Sequence, residues 1–313
     1  MSRILHRIFF NFDDGPDPFL PYLETWKKEL PDFEIKYWDK NNLPINLNQY
    51  TANMAAEKNH AFLSDYFRCW LLEKYGGVYL DADIEVLDGN VFRQVYDEAQ
   101  AASDYSLFIG IESAGNGRLT AHSMGVKDGS SNPILRFMMN LYETSFSGPL
   151  RHIIKRFDMP YLMSLYFIEN PVNDSAPTNL GVFPSLNSPL TTHGIKIYPA
   201  EWFSPVTKRA GLMTITSFNE HTCLCHHFSA TWVKCDSGLS VPKILKQALT
   251  DKNYAVYPSL INNIRNKYNI SDCFLKPRWS IPESGVESLN KIANFLFPFG
   301  SHRYLWLKKN DSE

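Results

Sequence analysis

Apolar residues fall in short runs through the first third of the chain, and polar turns separate them. RILHRIFF (3–10) reads as a first buried strand, and DDGPDP (13–18) follows as a turn rich in residues that interrupt regular structure. The region around LPYLETWKKEL predicts a helix, and DFEIKYWD (32–39) returns as a second strand. Such alternation favours parallel pairing, with helices on the sheet faces. Residues 40–60 are polar and rich in Asn, and read as loop or irregular helix. AFLSDYFRCWLLEKY (61–75) predicts a helix, closed by Gly76 and Gly77 where a left-handed cap is wanted. GVYLDAD (77–83) is the next strand, with Val78 and Leu80 on one side. YSLFIGIE (105–112) and AHSMGV (121–126) add candidate strands. NPILRFMMNLYETSF (132–146) predicts a helix, and HTCLCHHF (221–228) a late strand. No internal repeat or low-complexity tract breaks the pattern.

The third strand carries the chemistry. Residues i and i+2 of a strand face the same side, so Asp81 and Asp83 are expected to converge across Ala82. Two carboxylates that close repel each other unless a cation or donors compensate. A hard divalent ion resolves the conflict, above all one shared with a substrate's diphosphate. The carboxyl end of a strand is also where open α/β sheets bind ligands. On the preceding helix Asp65 and Arg68 share a face at i, i+3. Taken alone that pair reads rather as a surface ion pair, a preference that only the family resemblance reverses, and a lone D-x-D occurs by chance in many chains.

The surroundings of the two acids narrow the choice. LSDYFRCWLLEKYGGVYLDADIEVL (63–87) resembles the signature of glycosyltransferase family 32, the D-x-D sugar transferases. The same frame occurs in the large clostridial glucosylating toxins. ILHRIFF looks like that family's first strand and DFEIKYWD like its second. CHHFSATW (225–232) resembles its late His-His element, with Thr231 standing where Ser is usual. Haloacid-dehalogenase phosphatases also end a strand in D-x-D, but they want Thr or Val where this chain has Glu85.

The resemblance implies an α/β, GT-A type nucleotide-sugar-binding fold, a mixed central sheet flanked by helices. Carried over by position, Asp83 is the direct metal ligand, and Asp81 binds the ribose and reaches the metal. Asp65 contacts sugar hydroxyls, and Arg68 donates to sugar or phosphate. His226 completes the metal shell from the late strand, with His227 pointing the other way. Imidazole suits Mn²⁺ better than Mg²⁺. Trp232 covers the diphosphate, or else fills the core. Phe9 and Phe10 lie where the base docks, with strand packing the expected job of at least one. Glu112 and His122 flank the acceptor segment and read as structural. The family is retaining, so the implied reaction moves a hexose or N-acetylhexosamine from a nucleotide sugar, UDP-linked by preference, to a surface polysaccharide or lipid-linked oligosaccharide. The rival readings are a non-catalytic nucleotide-sugar or glycan-binding module and a toxin-like enzyme acting on a host protein.

Composition sets the bounds. With 313 residues, 44% hydrophobic and 14% aromatic, the chain is expected to bury a core. A net charge of −2 without a basic block argues against nucleic acid as partner. Five cysteines without framework spacing read as reduced thiols in a cytoplasmic protein. The opening MSRILHRIFF has too short an apolar run for a signal peptide, which favours a bacterial, cytoplasmic-face enzyme over Golgi relatives. The expected division is a catalytic domain over 1–235, with the nucleotide-sugar part in about 1–90 and the acceptor part in about 100–220, and an extension over 236–313. In that extension Ser284 and Glu287 form a capping-box pattern, and Arg303, Lys308 and Lys309 mix with Phe299, Tyr304 and Trp306. Such a tail suits peripheral attachment to an anionic membrane, or docking on its own catalytic domain.

Overall fold

A computed structural model of the chain describes residues 3–112, 118–145, 159–169, 186–209, 212–215, 218–227 and 229. The expected tail helix, Trp232, Cys235 and Cys273 lie outside the described residues. Chain contacts divide the molecule into two compact units, residues 1–140 with 159–234 and residues 141–158 with 235–313. The first unit holds the sheet and the candidate site. Of the second, only residues 141–145 are described, as the last turn of a helix.

The elements run β1 (Ile4–Ile8), α1 (Leu20–Glu29), β2 (Glu34–Trp38), α2 (Gln49–Ala56), α3 (His60–Tyr75), β3 (Gly77–Leu80), β4 (Ile84–Val86) and α4 (Gly89–Ala101). They continue as β5 (Leu107–Ile111), β6 (Leu119–Val126), α5 (Pro133–Ser145), α6 (Met159–Glu169), β7 (Leu190–Thr192), β8 (Ile195–Tyr198) and α7 (Ala200–Phe203). A hairpin, β9 (Val206–Arg209) and β10 (Leu212–Ile215), and the late strand β11 (Leu224–His226) complete them. Seven strands form one sheet in the order β2-β1-β3-β6-β5-β8-β7. β1 runs parallel to β2 and β3, whereas β6 lies antiparallel to both β3 and β5, so the sheet is mixed. This is the α/β architecture expected, with helices packed on its strands.

β1 is buried along its whole length, which forces its polar residues to find partners. His6 does so at both ring nitrogens: Nε2 donates to the Gly76 carbonyl at 2.9 Å, and Nδ1 accepts from Trp38 Nε1 at 3.0 Å. Arg7 pairs with Asp17 at 2.6 Å, which ties the 13–18 turn back to the strand. β3 is buried on both faces as well. Val78 and Leu80 join the cluster formed by Leu23 and Trp26 of α1 and by Phe92, Val95 and Tyr96 of α4. Gly77 has φ +78°, and a Cβ there would meet the Ile4 carbonyl oxygen at 2.8 Å. Only glycine lets β3 start this close to β1.

Two expectations need correction. Residues 49–56 form a regular helix, α2, started by a reciprocal cap in which Asn48 Oδ1 accepts from Thr51 N at 2.9 Å and Thr51 Oγ1 from Asn48 N at 3.1 Å. The third strand stops at Leu80, not at Asp83. A tight turn follows, closed by Ile84 N–H donating to the Asp81 carbonyl at 3.0 Å. The turn takes the chain out of the large sheet, and β4 then pairs antiparallel with β11.

Candidate functional site

Asp81 and Asp83 therefore converge because they hang from one turn, and pleating has no part in it. Two anchors fix that turn. Asp81 N–H donates to the His122 carbonyl of β6 at 2.8 Å, and Trp26 Nε1 of α1 donates to the Ile84 carbonyl at 2.7 Å. On β11, His226 stands opposite Ile84, one residue past Asp83. The chain beyond β11 then runs back along the turn. His227 N–H reaches the Asp83 carbonyl at 3.2 Å, and Ser229 N–H reaches Asp83 Oδ2 at 2.9 Å.

The result is three candidate ligand atoms, from Asp81, Asp83 and His226, within 4.8 Å of one another. Two full negative charges at that distance repel by about 3 kcal/mol at an effective dielectric constant near 20. Each acid has its own partner, an imidazole for one and a guanidinium for the other. His226 Nε2 lies 3.4 Å from Asp83 Oδ1, and Arg68 Nη1 lies 3.3 Å from Asp81 Oδ1. Burial alone would push the Asp83 carboxyl up, but the His226 imidazole and the Ser229 amide outweigh it and hold the acid well below the usual carboxylate range. Burial alone would lower His226, and the nearby Asp83, Asp81 and Glu112 raise it instead. Two carboxylate oxygens and one imidazole nitrogen, brought together from a turn and a strand, fit a divalent ion that accepts both oxygen and nitrogen ligands.

Asp81 is oriented through a single oxygen. Tyr79 OH donates to its Oδ1 at 2.5 Å, and Arg68 approaches the same atom. Arg68, only 5% exposed, is shared among protein groups. It pairs with Asp65 at 2.9 Å, donates to the Ala121 carbonyl at 2.6 Å, and lies over the Tyr79 ring at 4.7 Å. The i, i+3 pair of α3 is thus a buried bracket for Asp81 and no surface ion pair.

The other predicted residues are placed as follows. Phe10 is 6% exposed and packs against Phe12 and Phe67, a core position. Phe9 is half-buried, edge-on to Phe19 with Arg7 over its ring. His227 turns away from His226, bonds Glu85 Oε2 at 2.8 Å and stacks on Tyr22 with ring centroids 4.4 Å apart. Glu112 N–H donates to the Arg118 carbonyl at 2.7 Å across the mouth of β5 and β6. Sequence reasoning gave no role to Tyr79 or Ser229. Tyr79 lay inside the quoted signature, two residues before Asp81. The Ser229 contribution is a backbone amide, which no side-chain pattern reports.

Residues 16–101 match the family model described as the glycosyltransferase sugar-binding region containing a DXD motif. That segment is similar to the sugar-binding region of glycosyltransferases. Its DXD motif is Asp81-Ala82-Asp83, and the region also supplies Asp65, Arg68 and Tyr79, whereas His226 comes from beyond it. No curated protein matches the chain. Among solved structures it is similar to the PaToxG glycosyltransferase at 12% identity and TM-score 0.38, over 54% of this chain and 69% of that one. It is similar to a glycosyltransferase involved in glycosylation of the major capsid of PBCV-1 at 11% identity and TM-score 0.32, over 56% and 79%. It is also similar to the glycosyltransferase domain of the YGT toxin at 12% identity and TM-score 0.34, over 98% and 99%. Scores this low carry no functional weight.

Proposed function

We propose that this protein is a retaining glycosyltransferase. It moves a hexose or N-acetylhexosamine from a nucleotide sugar, UDP-linked by preference, to a glycan or lipid-linked oligosaccharide, with Mn²⁺ or Mg²⁺ held by Asp81, Asp83 and His226. One observation carries the reading: the two acids of the sugar-binding region meet an imidazole delivered by a strand far along the chain.

Each residue then has a task. Asp83, kept ionised by His226 and Ser229, supplies a carboxylate ready for a cation. Asp81, with Oδ1 engaged by Tyr79 and Arg68, turns its remaining oxygen to the donor's ribose and the cation. Asp65 faces sugar hydroxyls. Arg68 acts chiefly as fixed positive charge, because its donors already serve Asp65 and the Ala121 carbonyl. A bound divalent ion would supply counter-charge to the departing diphosphate. In the transfer, the bond from the anomeric carbon to the phosphate oxygen breaks, and its electron pair leaves with the diphosphate. The acceptor oxygen bonds to the same face of that carbon, and its proton passes to the departing phosphate oxygen. The proposal extends to work at the inner face of the cell membrane through the basic, aromatic segment 288–309.

A thermal-shift panel of UDP, GDP and their sugars, with and without Mn²⁺, tests this reading, since a ligand stabilises the fold in proportion to its occupancy. We expect a metal-dependent shift for one nucleotide class, absent in Asp83→Ala. A shift that survives without metal, or in that variant, would overturn the site.

A further inference from the structure

A second imidazole stands behind the one that faces the acids. His122 lies on β6, outside the sugar-binding region, and is 3% exposed. Its ring centroid is 4.3 Å from that of His226, with the planes tilted by 37°. Its Nε2 is hydrogen-bonded to the hydroxyl of Ser204, a fully buried residue just past α7. Its Nδ1 has no hydrogen-bond partner among the described residues. Its backbone carbonyl accepts the amide of Asp81. One residue thus touches both halves of the candidate metal set, the turn through its main chain and the late strand through its ring.

Volume alone does not account for this side chain. A buried nitrogen without a partner costs free energy that a phenylalanine of similar shape would avoid. A histidine in this slot gains a tether to Ser204, which fixes the rotation of its ring and so the surface it presents to His226.

We propose that His122, tethered by Ser204, is a positioning residue that sets the plane of His226 and thereby aims Nε2 at Asp83. The proposal deepens the reading of Asp81, Asp83 and His226 as the metal-holding set and rests on it.

The test uses the full chain without nucleotide. Mn²⁺ affinity is measured by electron paramagnetic resonance for His122→Ala, His122→Gln, Ser204→Ala and Val126→Ala, the last a buried β6 control. Ring resonances of His226 are recorded in the metal-free Ser204→Ala chain, which keeps the His122 ring. We expect Mn²⁺ binding to weaken by roughly 10- to 100-fold in His122→Ala, the range seen when a residue supporting a metal ligand is lost. Ser204→Ala should weaken it several-fold and shift the His226 ring signals. His122→Gln should recover part of the loss, because its amide can keep the Ser204 bond. Val126→Ala should lower the melting temperature and leave Mn²⁺ affinity unchanged. Unchanged Mn²⁺ affinity in a folded His122→Ala chain, or His226 signals indifferent to Ser204→Ala, overturns the proposal and leaves the metal reading standing. Failure of the unsubstituted chain to bind Mn²⁺ overturns the metal reading instead, and the metal-free ring signals still decide for or against His122.

Discussion

Two buried histidines flank β3, His6 on one side and His122 on the other, and they are bonded differently. His6 sits on β1 opposite Tyr79, with both ring nitrogens satisfied by groups that belong to the fold, the Gly76 carbonyl and the Trp38 indole. His122 sits on β6 with one nitrogen tethered to Ser204 and its ring against the candidate metal ligand. The first arrangement is closed. The second faces the site. A histidine that spends both nitrogens on main chain and core stabilises the sheet, whereas one left half-satisfied beside a reactive cluster shapes that cluster.

The comparison can be broken from either end. The largest effect belongs to Asp83→Ala, which should lower Mn²⁺ affinity by more than the roughly 100-fold expected of any supporting residue. Calorimetric titration checks this, and an affinity within tenfold of the parent would remove Asp83 from the metal set. Next comes His6→Ala, which strands the Gly76 carbonyl and the Trp38 indole N–H. It should cost about 3 kcal/mol in urea unfolding, the range for buried groups left unpaired, without moving Mn²⁺ affinity tenfold. If it weakens metal binding as His122→Ala does, the distinction between the two histidines fails.

Titration sharpens the same contrast. Burial lowers His6 from 6.5 to about 4, with the Gly76 carbonyl opposing and Lys36 adding to the fall. A protonated ring would also aim an N–H at the indole N–H it now accepts from. Above pH 6.5 the group is neutral in both folded and unfolded chains, and its contribution is complete. Between about 6.5 and 4 the unfolded chain takes a proton that the folded one refuses, so stability declines as pH falls and levels off below about 4. The decline should be about 3 kcal/mol in the parent and absent from His6→Ala, so that it remains in the difference between the two chains. Denaturant curves at several pH values measure it. The smallest effect is Asn48→Ala, which removes the cap of α2 for about 1 kcal/mol and should leave metal binding alone.

The parts legible in sequence are those whose physics is local. β1, β2, α1 and α3 announce themselves by apolar runs and by the glycines after Tyr75. α2 did not, because its residues are mostly polar or small and its cap pairs Asn48 with Thr51, where the commoner signature ends in Glu or Gln. The stretch 77–87 hid a turn, since the acids continue a strand pattern without a glycine or proline to mark the break. The antiparallel insertion of β6 between β3 and β5 is a long-range choice that no short window encodes. Asp65, Arg68, Asp81, Asp83 and His226 were visible as a set through the family signature. Tyr79 as bracket, Ser229 as amide donor and His122 as backing ring depend on packing between residues distant in the chain.

The pairing of β4 with β11 also bears on biosynthesis. Both aspartates emerge from the ribosome long before His226 and Ser229, the groups that aim and hold Asp83. A half-made chain can thus fold its first strands around the DXD turn while lacking the imidazole and the amide that finish it. The three candidate metal ligands are therefore complete only late in translation.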